Sequence, residues 1–172
     1  TPDNIKQAAI AALNNGATKY TPSAGLPALR QAIADKLKRE NNLEYDPSQI
    51  TVGAGAKHAC FNAIMATVSE GDEVIIPSPY WVSYPEMVRM CGGIPVIVET
   101  TPENGWKLTA EQFEEAMTPR TKMVILTTPN NPTGAVYSEE ELRALGEVAV
   151  SEDILILADE IYEHLVYGDV KH

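Results

Sequence analysis

The stretch Ile154-Leu-Ile-Leu-Ala-Asp-Glu-Ile-Tyr162 decides the fold class of this 172-residue chain. Its first five residues are apolar, which is typical of a strand buried on both faces of a parallel sheet. A second buried strand is predicted at residues 123–126, and the loop after it carries Asn130-Asn-Pro-Thr-Gly134. Loops that leave the carboxyl ends of parallel strands gather at one edge of the sheet, where ligands bind. We therefore expect the polar side chains of these two loops to lie together.

Further elements alternate outward from these two strands. The apolar runs and turn signals predict three more strands and six helices. The predicted strands cover residues 50–52, 74–76 and 94–98, and the predicted helices cover residues 2–16, 27–40, 56–68, 85–91, 109–117 and 138–150. Strands that alternate with helices favour a mainly parallel sheet with helices on both faces. The sequence therefore predicts one domain with a three-layer α/β/α fold.

Three of these helices carry start signals that can be checked directly. Thr1 is predicted to cap the first helix, with Pro2 at its first position and Gly16 closing it. The fifth helix has the capping-box pair Thr109 and Gln112, and the sixth has the pair Ser138 and Glu141. A seventh helix, in addition to the six with ranges above, is expected to follow Asp159 and to carry His164.

Composition excludes several classes of protein. A net charge of −11 argues against general binding to nucleic acids or to anionic membranes.

Cys60 and Cys91 form neither a disulfide framework nor a metal-ligand pattern, and we expect both to pack as small core residues. The sequence has no signal peptide and no apolar run of membrane-spanning length, so a reducing, cytoplasmic location is expected. Because the chain begins at Thr1 without a methionine, we expect it to be a piece of something longer.

The two polar loops suggest a specific ligand chemistry. One loop offers the Asp159 carboxylate and the Tyr162 phenol, three residues apart, and the other offers a carboxamide held in a Pro/Gly turn. A carboxylate suits a basic ring nitrogen, while a phenol and an amide suit a phenolate oxygen. Pyridoxal phosphate is a ring that carries both groups.

The segment Gly53-Ala-Gly-Ala-Lys57 is a candidate phosphate site. It lies between a predicted strand and a predicted helix, and the free amides at a helix start bind anions. A dinucleotide-binding fingerprint is the alternative, but His58 stands where that motif requires its third glycine. The Lys57 side chain either adds charge to this site or is solvated.

The chain resembles the class I aminotransferases, which are fold-type-I pyridoxal phosphate enzymes, and it is most similar to their bacterial aspartate aminotransferase branch. The resemblance covers nearly the whole chain. It rests on five motifs in order: Tyr20 with its Pro/Gly loop, Gly55-Ala-Lys57, Ser78-Pro-Tyr-Trp-Val-Ser-Tyr-Pro85, Asn130-Asn-Pro-Thr-Gly134 and Asp159-Glu-Ile-Tyr-Glu-His164. Each motif is weak alone, but the set in this order is specific to the family.

The resemblance implies a role for each cofactor contact. Asp159 keeps the pyridine nitrogen protonated, because a nearby opposite charge favours the charged form. Tyr162 and Asn131 donate hydrogen bonds to the phenolate oxygen, and Asn131 rather than Asn130 is chosen because the functional asparagine directly precedes proline. Trp81 stacks on the ring, and Trp81 and Asn131 also contact the substrate.

The resemblance also implies which groups hold the phosphate. The amides of Ala56 and Lys57 bind it, Gly55 makes room for it, and Tyr20 reaches across a homodimer interface to the site of the neighbouring subunit. No residue is assigned to a metal, and the three histidines are given no role.

Each of these assignments has a structural alternative. Asp159 could simply cap a helix, and Asn131 could stabilise the turn before Pro132. Tyr162, Trp81 and Tyr20 could be ordinary packing aromatics.

Several parts of the family's active site have no counterpart here. The Schiff-base lysine, two arginines that bind phosphate and substrate carboxylate, and the small domain all lie beyond the matched segment in the family. Residues 1–172 are therefore expected to be the central part of an incomplete large domain of the pyridoxal-phosphate-transferase type. The parent is expected to be a transaminase for an aspartate-like amino acid and a 2-oxo acid, and the fragment is expected to be inactive.

Other functions stay open at this point. They are another fold-type-I reaction (β-elimination or a synthase step), a remnant without catalysis that binds cofactor or partner chains, and a nicotinamide-binding domain.

Overall fold

The computed structural model describes residues 1–169 and 172, and the chain forms two compact units, Thr1–Gly53 and Ala54–His172. The first unit holds helices α1 (Asp3–Asn14) and α2 (Pro27–Asn41) and a short 3-10 helix, Pro47–Gln49. Helix α1 begins at Asp3 with Pro2 as its cap, so the prediction that Thr1 caps it is wrong. The extended ψ of 148° at Pro2 moves the start of the helix one residue along the chain. Beyond its end, Gly16 has a φ of +78°, as expected of a helix-closing glycine.

The predicted strand at residues 50–52 is wrong. Ile50 has extended dihedrals (φ −110°, ψ 127°), but the amide of Val52 donates to the carbonyl of Ala24 in a loop, rather than to a strand. Extended backbone forms a strand only where a ladder of hydrogen bonds pairs it. This contact explains why residue 25 is a glycine, because a Cβ at that position would lie 2.6 Å from the Val52 side chain.

The second unit contains a parallel sheet of four strands, in the order β2-β1-β3-β4. The remaining four predicted strands are confirmed within a few residues at each end. They are β1 (Glu73–Ser78), β2 (Ile94–Glu99), β3 (Thr121–Thr127) and β4 (Leu155–Asp159). Strands β3 and β4 lie side by side, so the two loops singled out in the sequence leave neighbouring strands at the same edge.

Helices cover both faces of this sheet, which confirms the three-layer α/β/α prediction. They are α3 (Ala56–Thr67), α4 (Ser83–Met90), α5 (Ala110–Ala116) and α6 (Glu139–Ser151), with a 3-10 helix at Pro102–Asn104. Both predicted capping boxes, at Thr109 and at Ser138, are present.

Alternate strand residues enter two separate cores. On one face, Val74 and Ile76 of β1 pack with α3 and α4, in a cluster that includes Ile64, Tyr84 and Val88. On the other face, Ile75 packs with residues of α5 and α6, including Phe113 and Leu145. Because successive side chains of a strand point to opposite faces, a continuous apolar run supplies both cores.

The chain after β4 turns instead of forming the expected helix. Residues 161–164 are turns, closed by bonds from Glu163 N to Glu160 O and from Leu165 N to Tyr162 O. Cys60 is buried in the first core and Cys91 packs against it, as expected, and neither forms a disulfide within the described residues. In the part of the chain that the structure describes, no helix is long and apolar enough to cross a lipid bilayer.

Candidate active site

A cavity of about 290 Å³ lies at the carboxyl ends of β3 and β4. Its volume is at the lower end of the range for small-molecule sites, roughly 300–1,000 Å³. Six of the residues predicted from sequence line it: Ala56, Lys57, Trp81, Asn131, Asp159 and Tyr162. Three further lining residues, Tyr84, Thr127 and Ile161, were not predicted. All nine belong to the second unit.

Asp159 ends β4 and is the buried carboxylate of this cavity, with 7% of its surface exposed. Its Oδ2 accepts from the Tyr84 hydroxyl at 2.7 Å and from the Cys60 thiol at 3.7 Å. Its Oδ1 accepts from the amide of Ile161 at 3.2 Å. The last bond closes the turn after β4. Since turns and not a helix follow Asp159, the carboxylate does not cap a helix, and it faces the cavity.

Tyr84 links Asp159 to the rest of the site. Its hydroxyl lies 2.8 Å from Oγ1 of Thr127, the last residue of β3. Its ring packs edge-on against Trp81, with the centroids 5.4 Å apart and the planes at 89°. Burial, and then the hydrogen bond to Asp159, raise the pKa of Tyr84 far above its ordinary value, so the phenol stays a donor.

Cys60 is the second group held against the carboxylate. Burial, followed by the negative charge of Asp159, raises the pKa of the Cys60 thiol to about 11. The thiol therefore stays protonated near neutral pH and presents a weak S–H donor.

The two asparagines of the loop after β3 have different surroundings. Oδ1 of Asn130 accepts from the amide of Thr133 at 3.2 Å and from its hydroxyl at 3.0 Å, so Asn130 stabilises the turn. Nδ2 of Asn131 instead points to the hydroxyl of Tyr162 at 3.5 Å, a long and weak hydrogen bond. The amide and the phenol therefore converge at the cavity, and the turn-stabilising alternative applies to Asn130.

The candidate phosphate site is the N-terminus of α3. Gly55 is its cap, with φ 91° and ψ 167°, and the helix runs twelve residues from Ala56. Among the described residues, no acceptor bonds the amides of Ala56 or Lys57. The loop is held from the other side by His58, whose Nδ1 accepts from the amide of Ala54 at 3.0 Å. His58, which was assigned no role from the sequence, thus ties the residue before the cap to the first turn of α3.

The Lys57 side chain lies against the indole of Trp81. Its Nζ is 4.8 Å from the ring centroid, which is within the range of a cation–π interaction. The ammonium group thus lies over an aromatic ring that lines the same cavity, and its contribution to a phosphate site stays a prediction.

Tyr20 lies in the first unit, on the loop between α1 and α2, and its side chain is fully exposed. The structure places it on a surface, and its reach into a neighbouring subunit stays a prediction.

Comparisons with known proteins identify the family of the chain. The model of the family described as aminotransferase class I and II matches residues 1–172. An aspartate aminotransferase of a Bacillus species (strain YM-2) is 55% identical over 172 residues, which cover 100% of this chain and 44% of the relative. An aspartate/prephenate aminotransferase of Cereibacter sphaeroides is 55% identical over 170 residues, which cover 98% of this chain and 42% of the relative.

Solved structures give the same result. The aspartate aminotransferase of Thermus thermophilus with maleate superimposes with a TM-score of 0.97 at 52% identity, covering 100% of this chain and 45% of that one. The chain thus spans less than half the length of the curated relatives it matches. Since the family model matches every residue, the chain belongs to the class I and II aminotransferases.

Proposed function

We propose that the protein is a pyridoxal-phosphate-dependent transaminase that moves an amino group between an aspartate-like amino acid and a 2-oxo acid. One observation carries this proposal: a buried carboxylate, an amide–phenol pair and a helix N-terminus surround one cavity. These groups match the ring nitrogen, the phenolate oxygen and the phosphate of that cofactor.

The residues present fit the cofactor. Asp159 has both carboxylate oxygens fixed by internal donors and would hold the protonated ring nitrogen. Asn131 and Tyr162 would donate to the phenolate oxygen, and Trp81 would pack on the ring. The amides of Ala56 and Lys57 would bind the phosphate, where Gly55 lets the backbone approach it.

When bound, the cofactor supplies an electron sink for the charge left when an amino acid loses its α-proton. The protein's own residues orient and tune it. Asp159 would hold a proton on the ring nitrogen, and the Asn131–Tyr162 pair would stabilise negative charge on the phenolate oxygen. The low exposure of Asp159 excludes water from the charged contact, which strengthens it.

The relatives support an aspartate-like substrate. They are named aspartate and aspartate/prephenate aminotransferases, and the Thermus thermophilus structure contains maleate, a four-carbon dicarboxylate. We infer a dicarboxylic amino acid as the donor and a 2-oxo acid as the acceptor.

We further propose that residues 1–172 are the central part of the large cofactor-binding domain. The relatives are more than twice as long, and we expect the 172-residue chain to be inactive by itself. The same proposal includes a cytoplasmic homodimer in which Tyr20 contacts the neighbouring site.

A cofactor titration tests the proposal. With Trp106 replaced by Phe, Trp81 is the remaining tryptophan of the 172-residue chain, and pyridoxal phosphate should quench its fluorescence saturably. Asp159→Asn should weaken this binding at least tenfold, because it removes the charge that pairs with the ring nitrogen.

The asparagine pair provides a matched control. Asn131→Ala should weaken cofactor binding with little change in the melting temperature, whereas Asn130→Ala should lower the melting temperature because it removes the turn bonds. A complete gene product that carries no cofactor and fails to transaminate aspartate with 2-oxoglutarate would refute the proposal.

A further inference from the structure

The hydrogen bonds around Asp159 leave one acceptor position unused. A carboxylate has about four lone-pair sites, two on each oxygen. Oδ2 receives the Tyr84 hydroxyl and the Cys60 thiol, so both of its sites are occupied. Oδ1 receives only the Ile161 amide among the described residues, so one site on Oδ1 stays open in a carboxylate that lines the cavity.

The Tyr84 hydroxyl that donates to Oδ2 is the middle member of a directed series of hydrogen bonds. Tyr84 has a single hydroxyl proton, and it donates this proton to Asp159. The 2.8 Å contact with Thr127 must then be donated by Thr127 Oγ1, giving the order Thr127 to Tyr84 to Asp159. Each hydrogen bond in such a chain polarises the next, which strengthens the last one.

This series of hydrogen bonds, from Thr127 through Tyr84 to Asp159, is buried and held by packing. Tyr84 is 2% exposed and Thr127 is 6% exposed, so water does not compete for their hydroxyls. The Tyr84 ring is fixed by the core cluster that also contains Cys60, and by its edge contact with Trp81. The Asp159 carboxylate is thus held in one rotamer by groups from α3, α4 and β3.

We propose that Tyr84, with Thr127 behind it, is a positioning residue that keeps the shared proton on the cofactor's ring nitrogen and directs that nitrogen to Oδ1 of Asp159. This inference rests on the proposed function. A strong donor to Oδ2 stabilises the negative charge on the carboxylate that pairs with the ring nitrogen. The proton between Asp159 and the ring therefore stays on the nitrogen, where it makes the ring a better electron sink.

The test follows the ring nitrogen directly. The complete gene product, loaded with pyridoxal phosphate labelled with ¹⁵N in the ring, should give the nitrogen chemical shift of a protonated pyridine. In Tyr84→Phe, which keeps the ring and removes the hydroxyl, the proton should redistribute toward Asp159 by about tenfold, or about 1.4 kcal/mol. The ¹⁵N shift should move toward that of the neutral ring. Thr127→Val should move it in the same direction by less.

Two controls separate this effect from general damage. Tyr80→Phe removes a hydroxyl from the same segment that is not bonded to Asp159, and it should leave the ¹⁵N shift unchanged. Cys60→Ala removes only the weak donor and should have an effect smaller than that of Tyr84→Phe. If Tyr84→Phe binds the cofactor and shows the wild-type ¹⁵N shift, the inference about Tyr84 is wrong but the proposed function still stands. A wild-type protein with no bound ¹⁵N resonance would overturn the proposed function as well.

Discussion

Gly55 has backbone dihedrals that place it among conformations available essentially to glycine alone (φ 91°, ψ 167°). A Cβ at this position would meet no atom within 4 Å, so substitution causes backbone strain without a clash. We predict that Gly55→Ala lowers the free energy of unfolding by about 1–3 kcal/mol and weakens phosphate binding at the start of α3. Urea unfolding and a titration with pyridoxal phosphate measure the two effects.

Gly146 provides the control for this substitution. It lies in the interior of α6, where an added methyl group would also meet open space, and its φ is not positive. Gly146→Ala should therefore stabilise the protein by about 0.5–1 kcal/mol. If both substitutions change the free energy of unfolding equally, alanine adopts the Gly55 backbone conformation without strain.

Cys60 gives a prediction about alkaline pH. Below pH 9 its thiol is protonated in both the folded and the unfolded chain. Burial and Asp159 raise the pKa of Cys60 to about 11, so between pH 9 and about 11 the unfolded chain releases a proton that the folded chain keeps. The free energy of unfolding should fall across this window.

Two cysteine variants check this assignment by urea unfolding at several pH values. Cys60→Ala should make the fall in stability from pH 9 to about 11 shallower than in the wild type, and Cys91→Ala, which removes a thiol that is not bonded to Asp159, is the control. If Cys60→Ala and the wild type lose stability in parallel, the buried thiol does not contribute to the pH dependence.

The sequence allowed most residues that face the cavity to be predicted, but not the residues that hold them in place. Asp159 and Tyr162 could be predicted because they follow a buried strand, and Asn131 because the functional asparagine of the resembled family directly precedes proline. Tyr84 stands within a quoted motif, three residues after Trp81, but only the packing of α4 turns it toward Asp159. Contacts between residues 75 positions apart have no local sequence signal.

At the scale of elements, the start of α6 is fixed by a reciprocal pair of hydrogen bonds. The Ser138 hydroxyl accepts from the amide of Glu141 at 3.2 Å, and the Glu141 carboxylate accepts from the amide of Ser138 at 2.7 Å. We predict that Ser138→Ala lowers the unfolding free energy by about 1 kcal/mol. Ser151→Ala at the other end of α6, where the hydroxyl only donates to the Val148 carbonyl, should cost less. Equal losses would contradict the assignment to capping.

The elements that sequence reasoning predicted best were those with two independent signals. Helix α6 had apolar periodicity and a capping box, and β3 and β4 had apolar runs followed by turn residues. The segment 50–52 had only three β-prone residues. It forms no strand because its partner, which sequence does not reveal, is a loop residue and not another strand. The helix expected after Asp159 is absent, because the backbone bonds there span three residues and form turns at residues 161–164.

At the scale of the whole molecule, β4 is an edge strand of the described sheet, and two of its apolar side chains, Leu155 and Ile156, are each 41% exposed. Unpaired apolar edges promote association between chains. We predict that the 172-residue chain self-associates at micromolar concentrations and that Ile156→Lys increases the monomer fraction in sedimentation velocity. Val150→Lys, at an 84% exposed position of α6, is the control and should have little effect. A monodisperse wild-type monomer would contradict this.

We propose that the cavity at the ends of β3 and β4 holds pyridoxal phosphate in one orientation. A crystal structure of the complete gene product grown with the cofactor tests this most directly. We predict the ring nitrogen within about 3 Å of Asp159 Oδ1, the phenolate oxygen facing Asn131 and Tyr162, and the phosphate on the amides of Ala56 and Lys57. A cofactor bound outside this cavity, or with its ring nitrogen turned away from Asp159, would contradict the account.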